Sequence, residues 1–199
     1  MGCGYSGDWR QETGDWKLET GDWRLETGDW KLETGDWKLS KKIIQTKFYI
    51  LQTINIKLTS TAFKQNAFIP SKYSCDGENI NPPLDVDHMP EGTKSFALIV
   101  DDPDAPKGTW VHWVVWNIPA LLHLKENHIP GNEGINDFQR HHYGGPCPPS
   151  GTHRYFFKIY ALDTILDLPE DTTKFKLEKA MHHHIISVGE LIGLYKRDH

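Results

Sequence analysis

Cysteine is scarce in this chain. There are three in 199 residues, Cys3, Cys75 and Cys147, and no CxxC pair among them. That number and spacing exclude a zinc ribbon and the disulfide framework that staples small secreted domains. Long apolar runs are missing as well. No stretch approaches the ~20 residues a membrane helix requires. The segment KKIIQTKFYILQTI (41–54) starts basic and turns apolar, but Gln45, Lys47 and Gln52 interrupt it and no small-residue cleavage site follows. The expectation is a protein with no integral membrane segment, in the reducing cytoplasm. An excess of basic charge is also lacking: 22 Lys+Arg stand against 27 Asp+Glu, a formal net charge of −5. Residues 1–40 hold nine of the acidic and five of the basic side chains. The remainder, with 18 acidic and 17 basic, is nearly neutral. A near-neutral domain offers no broad basic face for phosphates, so duplex nucleic acid is excluded as a partner.

What the chain does have, first, is a repeat. Residues 7–39 run GDWRQET, GDWKLET, GDWRLET, GDWKLET, GDWKL, a period of seven carrying five of the eight tryptophans. A heptad invites the coiled-coil reading, and the residues refuse it. Trp16 and Leu18 are two apart, which puts them on one face of a strand but about 200° apart on a helix. A Gly-Asp pair would also break the helix in every unit. The near-identity of the units points to a disordered tail over 1–40, or a translated tandem repeat upstream of the domain. The sharper alternative is a multivalent tryptophan-bearing tether. Residues 41–53 read as a linker, and 54–199 as the domain.

Within the domain, INIKLTS (54–60) alternates in the strand period. SFALIV (95–100) is a continuous apolar run suited to a strand buried on both faces. VHWVVWNI (111–118) and RYFFKIYAL (154–162) are aromatic and β-branched, again strand-like. The loops between them are crowded with Pro, Gly, Asn and Asp. The last stretch, 169–197, has an acidic, Thr-containing start and apolar residues at mixed helical spacing, which predicts one C-terminal helix or two short ones. The fold class is mainly β, a sheet core with helix at the end.

Three segments place polar groups where strand meets loop. Asp102-Pro103-Asp104-Ala105-Pro106 follows the buried run, and its prolines make a rigid turn that holds Asp102 and Asp104 at the mouth of the core. In Trp110–Trp116, strict alternation puts Trp110, His112, Val114 and Trp116 on one face. A histidine there needs a carboxylate or carbonyl partner. In 144–157 the same alternation groups His153, Tyr155 and Phe157, with Arg154 opposite. The Gly-Pro-rich loop before them, including Gly145 and Pro146, can bring backbone N–H groups toward an anion. Each segment alone fits an ordinary turn or core strand. Together they supply carboxylates, two histidines, a tyrosine and a Gly-Pro loop at the sheet margins, the makings of a small anion pocket.

DPDAP (102–106), the Trp-x-His-Trp strand (110–113) and GGPCPPSGTHRYFFKIYALD (144–163) resemble the signature blocks of the phosphatidylethanolamine-binding protein family. The opening KLTSTAF…FIPSKYSCDGENINPPL (57–84) and the closing ELIGLY (190–195) are similar to its bacterial Raf-kinase-inhibitor-like and archaeal members. The resemblance covers essentially all of 54–199, and the 1–40 tail has no counterpart in it. It implies a large central antiparallel sheet packed on a smaller sheet, with a short C-terminal helix. It further implies a pocket for phosphate, acetate or a phospholipid headgroup, formed by Asp102, Asp104, His112, Gly145, Pro146, His153 and Tyr155. A protein kinase or serine protease as regulated partner, and a homodimer as in bacterial relatives, are implied in the same way.

Binding and hydrolysis compete for such a pocket. The sequence has no GxSxG elbow. Ser150 lies in a Gly-Pro loop without an evident base, and Cys147 reads as a passive small hydrophobe more readily than as a thiol nucleophile. The Asp and His positions lack the spacing of a metal motif, and three consecutive histidines, His182 to His184, cannot all ligate one ion from a helix. His184 reads as packed and the other two as solvated. The reading is a binding module with no catalytic residue, metal or cofactor; the alternative is a hydrolase using an Asp–His pair to activate water.

Overall fold

The computed structural model describes residues 56–197 and, within the repeat, Gln11–Glu12 and Asp15–Trp16. The chain divides into two compact units, Met1–Phe48 and Tyr49–His199. In the first, β1 (Gln11–Glu12) pairs antiparallel with β2 (Asp15–Trp16). The rest of the expected disordered tail, and the linker, lie outside the described residues.

The second unit opens with β3 (Lys57–Thr59), β4 (Ala67–Phe68) and a single 3₁₀ turn at Ser71–Tyr73, followed by β5 (Leu84–Asp87). The long strands β6 (Ser95–Asp102) and β7 (Trp110–Pro119) come next, then short β8 (His123–Leu124) and β9 (Asn132–Glu133). The chain closes with β10 (Thr152–Leu162), helix α1 (Lys174–Met181) and β11 (Ile185–Lys196). Six strands form one sheet in the order β4-β11-β10-β6-β7-β9, and three form another in the order β3-β5-β8. The large sheet is antiparallel except at one edge, where β4 runs parallel to β11. A large sheet, a smaller one and one short helix are what the fold reading expected.

Burial explains the strand order. β6 carries SFALIVDD with all eight residues buried, and it lies between β10 and β7, where neither face meets water. One face of the large sheet packs Leu98, Val100, Trp113 and Phe157 against Leu58 and Val86 of the small sheet. The other face, with Ala97, Ile99, Val114 and Trp116, is covered by Leu177 and Met181 of α1. Thr173 caps that helix by accepting from Lys176 N.

The last segment corrects the sequence reading. Helix α1 occupies eight residues, and Ile185–Lys196 is the longest strand among the described residues. Helical spacing in 169–197 came from apolar residues belonging to two different elements. From Gly189 onward burial alternates through Leu191, Gly193 and Tyr195, the period of a strand. Two glycines are the reason β11 fits where it does. A Cβ on Gly189 would sit 2.6 Å from the Ile56 carbonyl oxygen, and one on Gly193 would sit 2.4 Å from Ile69 Cγ1. The three histidines follow the helix, and His184, expected to be packed, is half exposed and pairs with Asp163 at 2.8 Å.

Candidate functional site

The end of β6 sends two neighbouring carboxylates to different places. Asp102 faces β10, where its Oδ2 accepts a 2.7 Å hydrogen bond from His153 Nδ1. Its Oδ1 accepts from the backbone N–H of Asp104 at 2.8 Å, an Asx turn that the DPDAP prolines keep rigid. Asp104 does not turn inward. Its oxygens accept from Arg154 Nε at 2.8 Å and a terminal guanidinium nitrogen at 2.7 Å, and this pairing lowers its pKa to about 2. It pins the turn to β10.

β7 brings in His112 through a bulge. Val100 pairs with Trp113 and Asp101 with Val111, so His112 has no partner across the ladder. The extra residue breaks the alternation: Val111 joins Val114 and Trp116 in the helix-side cluster, while the His112 ring packs edge-on against Tyr155 and Phe138, centroids 5.2 and 5.3 Å away. The expectation that His112 shares a face with Val114 and Trp116 is corrected by that one inserted residue. On β10 the alternation is unbroken, and His153, Tyr155 and Phe157 are buried along one side as expected, with Arg154 exposed.

The 144–149 loop closes the site from above. Gly144 and His112 exchange bonds, the backbone N–H of Gly144 to His112 O at 3.0 Å and His112 Nδ1 to Gly144 O at 2.6 Å. Gly145 gives its N–H to Asn79 Oδ1 at 2.7 Å, and Pro146 O accepts from the N–H of Cys75 at 3.0 Å. A side chain at 145 would strike Tyr73 O, 2.4 Å from an added Cβ. The N–H groups of Gly144 and Gly145 therefore hold the loop in place and are already used. Gly145 and Pro146 are supports of the site and not its lining. Cys75 and Cys147 form a disulfide across the same junction. This corrects the picture of Cys147 as a lone hydrophobe or thiol nucleophile. Seventy-two residues separate the pair, so spacing gave no hint that folding brings the two loops together. The cysteine-based case for a reducing compartment loses its footing with it.

These elements enclose a cavity of about 200 Å³. Four of the seven expected residues line it: Asp102, His112, His153 and Tyr155. Trp110, Phe138, the Ala105–Pro106 turn and the Cys147–Pro149 segment complete the wall. Phe138 was missed, since nothing in the polar loop INDFQRHH marks it. Asn136 anchors that loop by donating to His112 O at 3.0 Å and His142 O at 2.7 Å. A larger open groove of about 470 Å³ runs past Phe68, Asp76 and Tyr195. Within it Asp76 accepts from Tyr195 OH at 2.9 Å and from the neighbouring Arg197 Nε at 3.0 Å.

Each histidine ring is fixed by its Nδ1. A backbone carbonyl only accepts, so His112 Nδ1 carries its proton toward Gly144, and His153 likewise donates to the Asp102 carboxylate. No buried side-chain nitrogen or oxygen among the described residues lacks a partner, so the Nε2 atoms are not sealed in the core. Both rings line the cavity. Burial pushes the His112 pKa down, against the opposing pull of Gly144 and Asp102, and keeps that ring neutral. Burial and then Asp102 push the Tyr155 hydroxyl well above its ordinary value. Among the described residues no group of three or more His, Cys, Asp or Glu is placed to hold a metal ion, and no helix is long and apolar enough to cross a membrane.

A family model described as phosphatidylethanolamine-binding protein matches residues 59–196. An uncharacterised UPF0098 protein of Pyrococcus horikoshii is 49% identical over 150 residues, covering 69% of this chain and 75% of its own length. One from Methanothermobacter thermautotrophicus is 48% identical, covering 71% and 99%. Among solved structures, a putative phosphatidylethanolamine-binding protein homologue from Chlamydia trachomatis superposes with a TM-score of 0.71 at 42% identity, over 73% of this chain and all of that one. Escherichia coli YbcL, described as a new member of the mammalian family, gives 0.67 at 31%, over 72% and 99%.

Proposed function

The chain belongs to the phosphatidylethanolamine-binding protein family, and from that premise we propose that the domain binds a small anion in the cavity between β6, β7 and β10. Phosphate, acetate and a phospholipid headgroup share the required chemistry, a charged oxygen on a compact group. The observation that carries the reading is the pair of histidines. Each is held through Nδ1 by a protein acceptor, and each brings its second nitrogen to the wall of one cavity. His153 is the donor. When its ring takes a second proton at Nε2, the Asp102 carboxylate at 2.7 Å is the counter-charge, and an imidazolium N–H faces the ligand. Asp104, Gly145 and Pro146 act by holding the turn and loop.

The hydrolytic alternative has less support. Cys147 is committed to a disulfide, and no serine lines the cavity. A regulatory role toward a kinase or protease is the finer form of the binding reading. It is tested by comparing partner inhibition with the cavity occupied and emptied.

Titration calorimetry with inorganic phosphate tests the site. His153→Ala should weaken binding about ten- to a hundredfold, the loss of one charge-assisted hydrogen bond of roughly 1.5–3 kcal/mol. Equal binding by both proteins would place the ligand elsewhere. Native mass spectrometry of the same sample reads the subunit count and any retained anion.

A further inference from the structure

Two rings at one cavity are not equivalent, and the difference names a ligand class. We propose that His112 is a hydrogen-bond acceptor in the bound state and makes the cavity selective for oxyacids that keep a proton, offering one O–H to His112 Nε2 and one charged oxygen to His153. The proposal rests on the anion-binding reading above and narrows it.

The argument starts from the Gly144 carbonyl. It can only accept, so His112 Nδ1 must hold the ring's proton, and a neutral ring then has a bare lone pair at Nε2. The ring cannot easily exchange the two nitrogens. The edges of Phe138 and Tyr155 clamp it, and its own carbonyl is bonded by Gly144 N and Asn136 Nδ2. A second proton is opposed by burial, His112 being 3% exposed. The charged and titratable groups around it come from three elements: Asp101 and Asp102 on β6, His153 and Tyr155 on β10, and Asp137 in the covering loop, whose carboxylate is occupied by Val111 N. Asp102 is already shared by His153 Nδ1 and Asp104 N. One proton on this cluster is therefore best placed at His153 Nε2, beside Asp102, leaving His112 to accept.

A donor beside an acceptor is the complement of a group with one O⁻ and one O–H. Inorganic phosphate and phosphate monoesters have that pair in their protonated forms. Sulfate and phosphodiesters do not. A sulfate oxygen against His112 Nε2 would set two lone pairs face to face and leave a buried acceptor unpaired, at a cost that outweighs the gain from His153. The headgroup of an intact phospholipid is a diester and falls in the excluded class, whereas its hydrolysed monoester does not.

The test uses the full chain and four probes in competition calorimetry near neutral pH: inorganic phosphate, phosphoethanolamine, sulfate and dimethyl phosphate. Phosphate and phosphoethanolamine should bind at least about tenfold tighter than the other two. His112→Ala should erase most of that preference while phosphate still binds through His153. Nitrogen-15 spectra of the liganded wild type should show His112 Nε2 unprotonated, a readout that needs no variant to fold. Equal affinity for phosphate and sulfate, or a protonated Nε2 in the complex, would overturn the acceptor role and leave the anion site standing. Failure of all four probes to bind would remove the anion site, and this inference with it.

Discussion

Asp101 and Asp102 are neighbours on one strand, and both are nearly inaccessible, at 1% and 3% exposure. Their surroundings differ completely. Asp101 points to the helix-covered face, where Lys158 of β10 and Lys174 of α1 both bond its carboxylate. Asp102 points to the cavity end and meets a histidine. Two lysine heads hold the first carboxylate between them. The second has a partner whose charge depends on a proton, at a wall open to small molecules. Adjacent residues of one type thus divide into a fastener and a responsive group, and the division is made by the two-fold alternation of a strand.

The sharpest way to break this comparison is to remove the fastener. Asp101→Ala leaves two lysine heads over a buried site; because both side chains are about a quarter exposed and can swing outward, the loss should fall near the low end for a broken buried pair, about 3 kcal/mol. A urea midpoint that does not move would show Asp101 to be dispensable. Asp102→Asn should invert the pattern. An asparagine oxygen can still accept from His153 Nδ1, losing only the Asp104 N–H bond of about 1 kcal/mol, so the midpoint changes less, but the counter-charge is gone and phosphate affinity should drop about ten- to a hundredfold. If stability collapses and affinity holds, the two roles have been assigned the wrong way round.

The smallest effect concerns acid. Burial lowers the pKa of His112 below its ordinary 6.5, so the unfolded chain binds that proton more readily than the folded one. The stability that neutral His112 supplies is complete above 6.5 and is lost as pH falls below it. Wild type should therefore lose midpoint on the acid side of 6.5 more steeply than His112→Gln. Parallel pH profiles would mean that the ring is not neutral in the fold.

The sequence was most readable where alternation runs without interruption. His153, Tyr155 and Phe157 fall on one side of β10 as period two requires, and SFALIV becomes the central strand because only a doubly buried strand tolerates so continuous an apolar run. Reading failed at His112, since a bulge is a property of two strands in register and neither strand's residues announce it. It failed at 185–196, read as part of a helix, where Gly189 and Gly193 let a strand pass close to Ile56 and Ile69, a crowding that only the fold shows. The Cys75–Cys147 link and Phe138 depend on loops that meet only after folding. Four of the seven expected residues reach the cavity wall; the other three, Asp104, Gly145 and Pro146, are engaged with Arg154, Asn79 and Cys75.

The outer margins of the large sheet have a consequence of their own. β4 and β9 are two residues each, and beyond them irregular chain takes up the ladder. Asn66 N and Gln65 Oε1 bond Ile192 on one side; on the other, Gly134 N, Asp137 N and Gly144 N bond Val114, Val111 and His112. A foreign strand finds few vacant rungs there, so the sheet is guarded against growing into a fibril. On the β7 side the guard is the same 134–144 segment that places Phe138 and Gly144 around the cavity. A substitution that loosens this wall of the cavity therefore also uncovers the β7 edge as a template for strand addition.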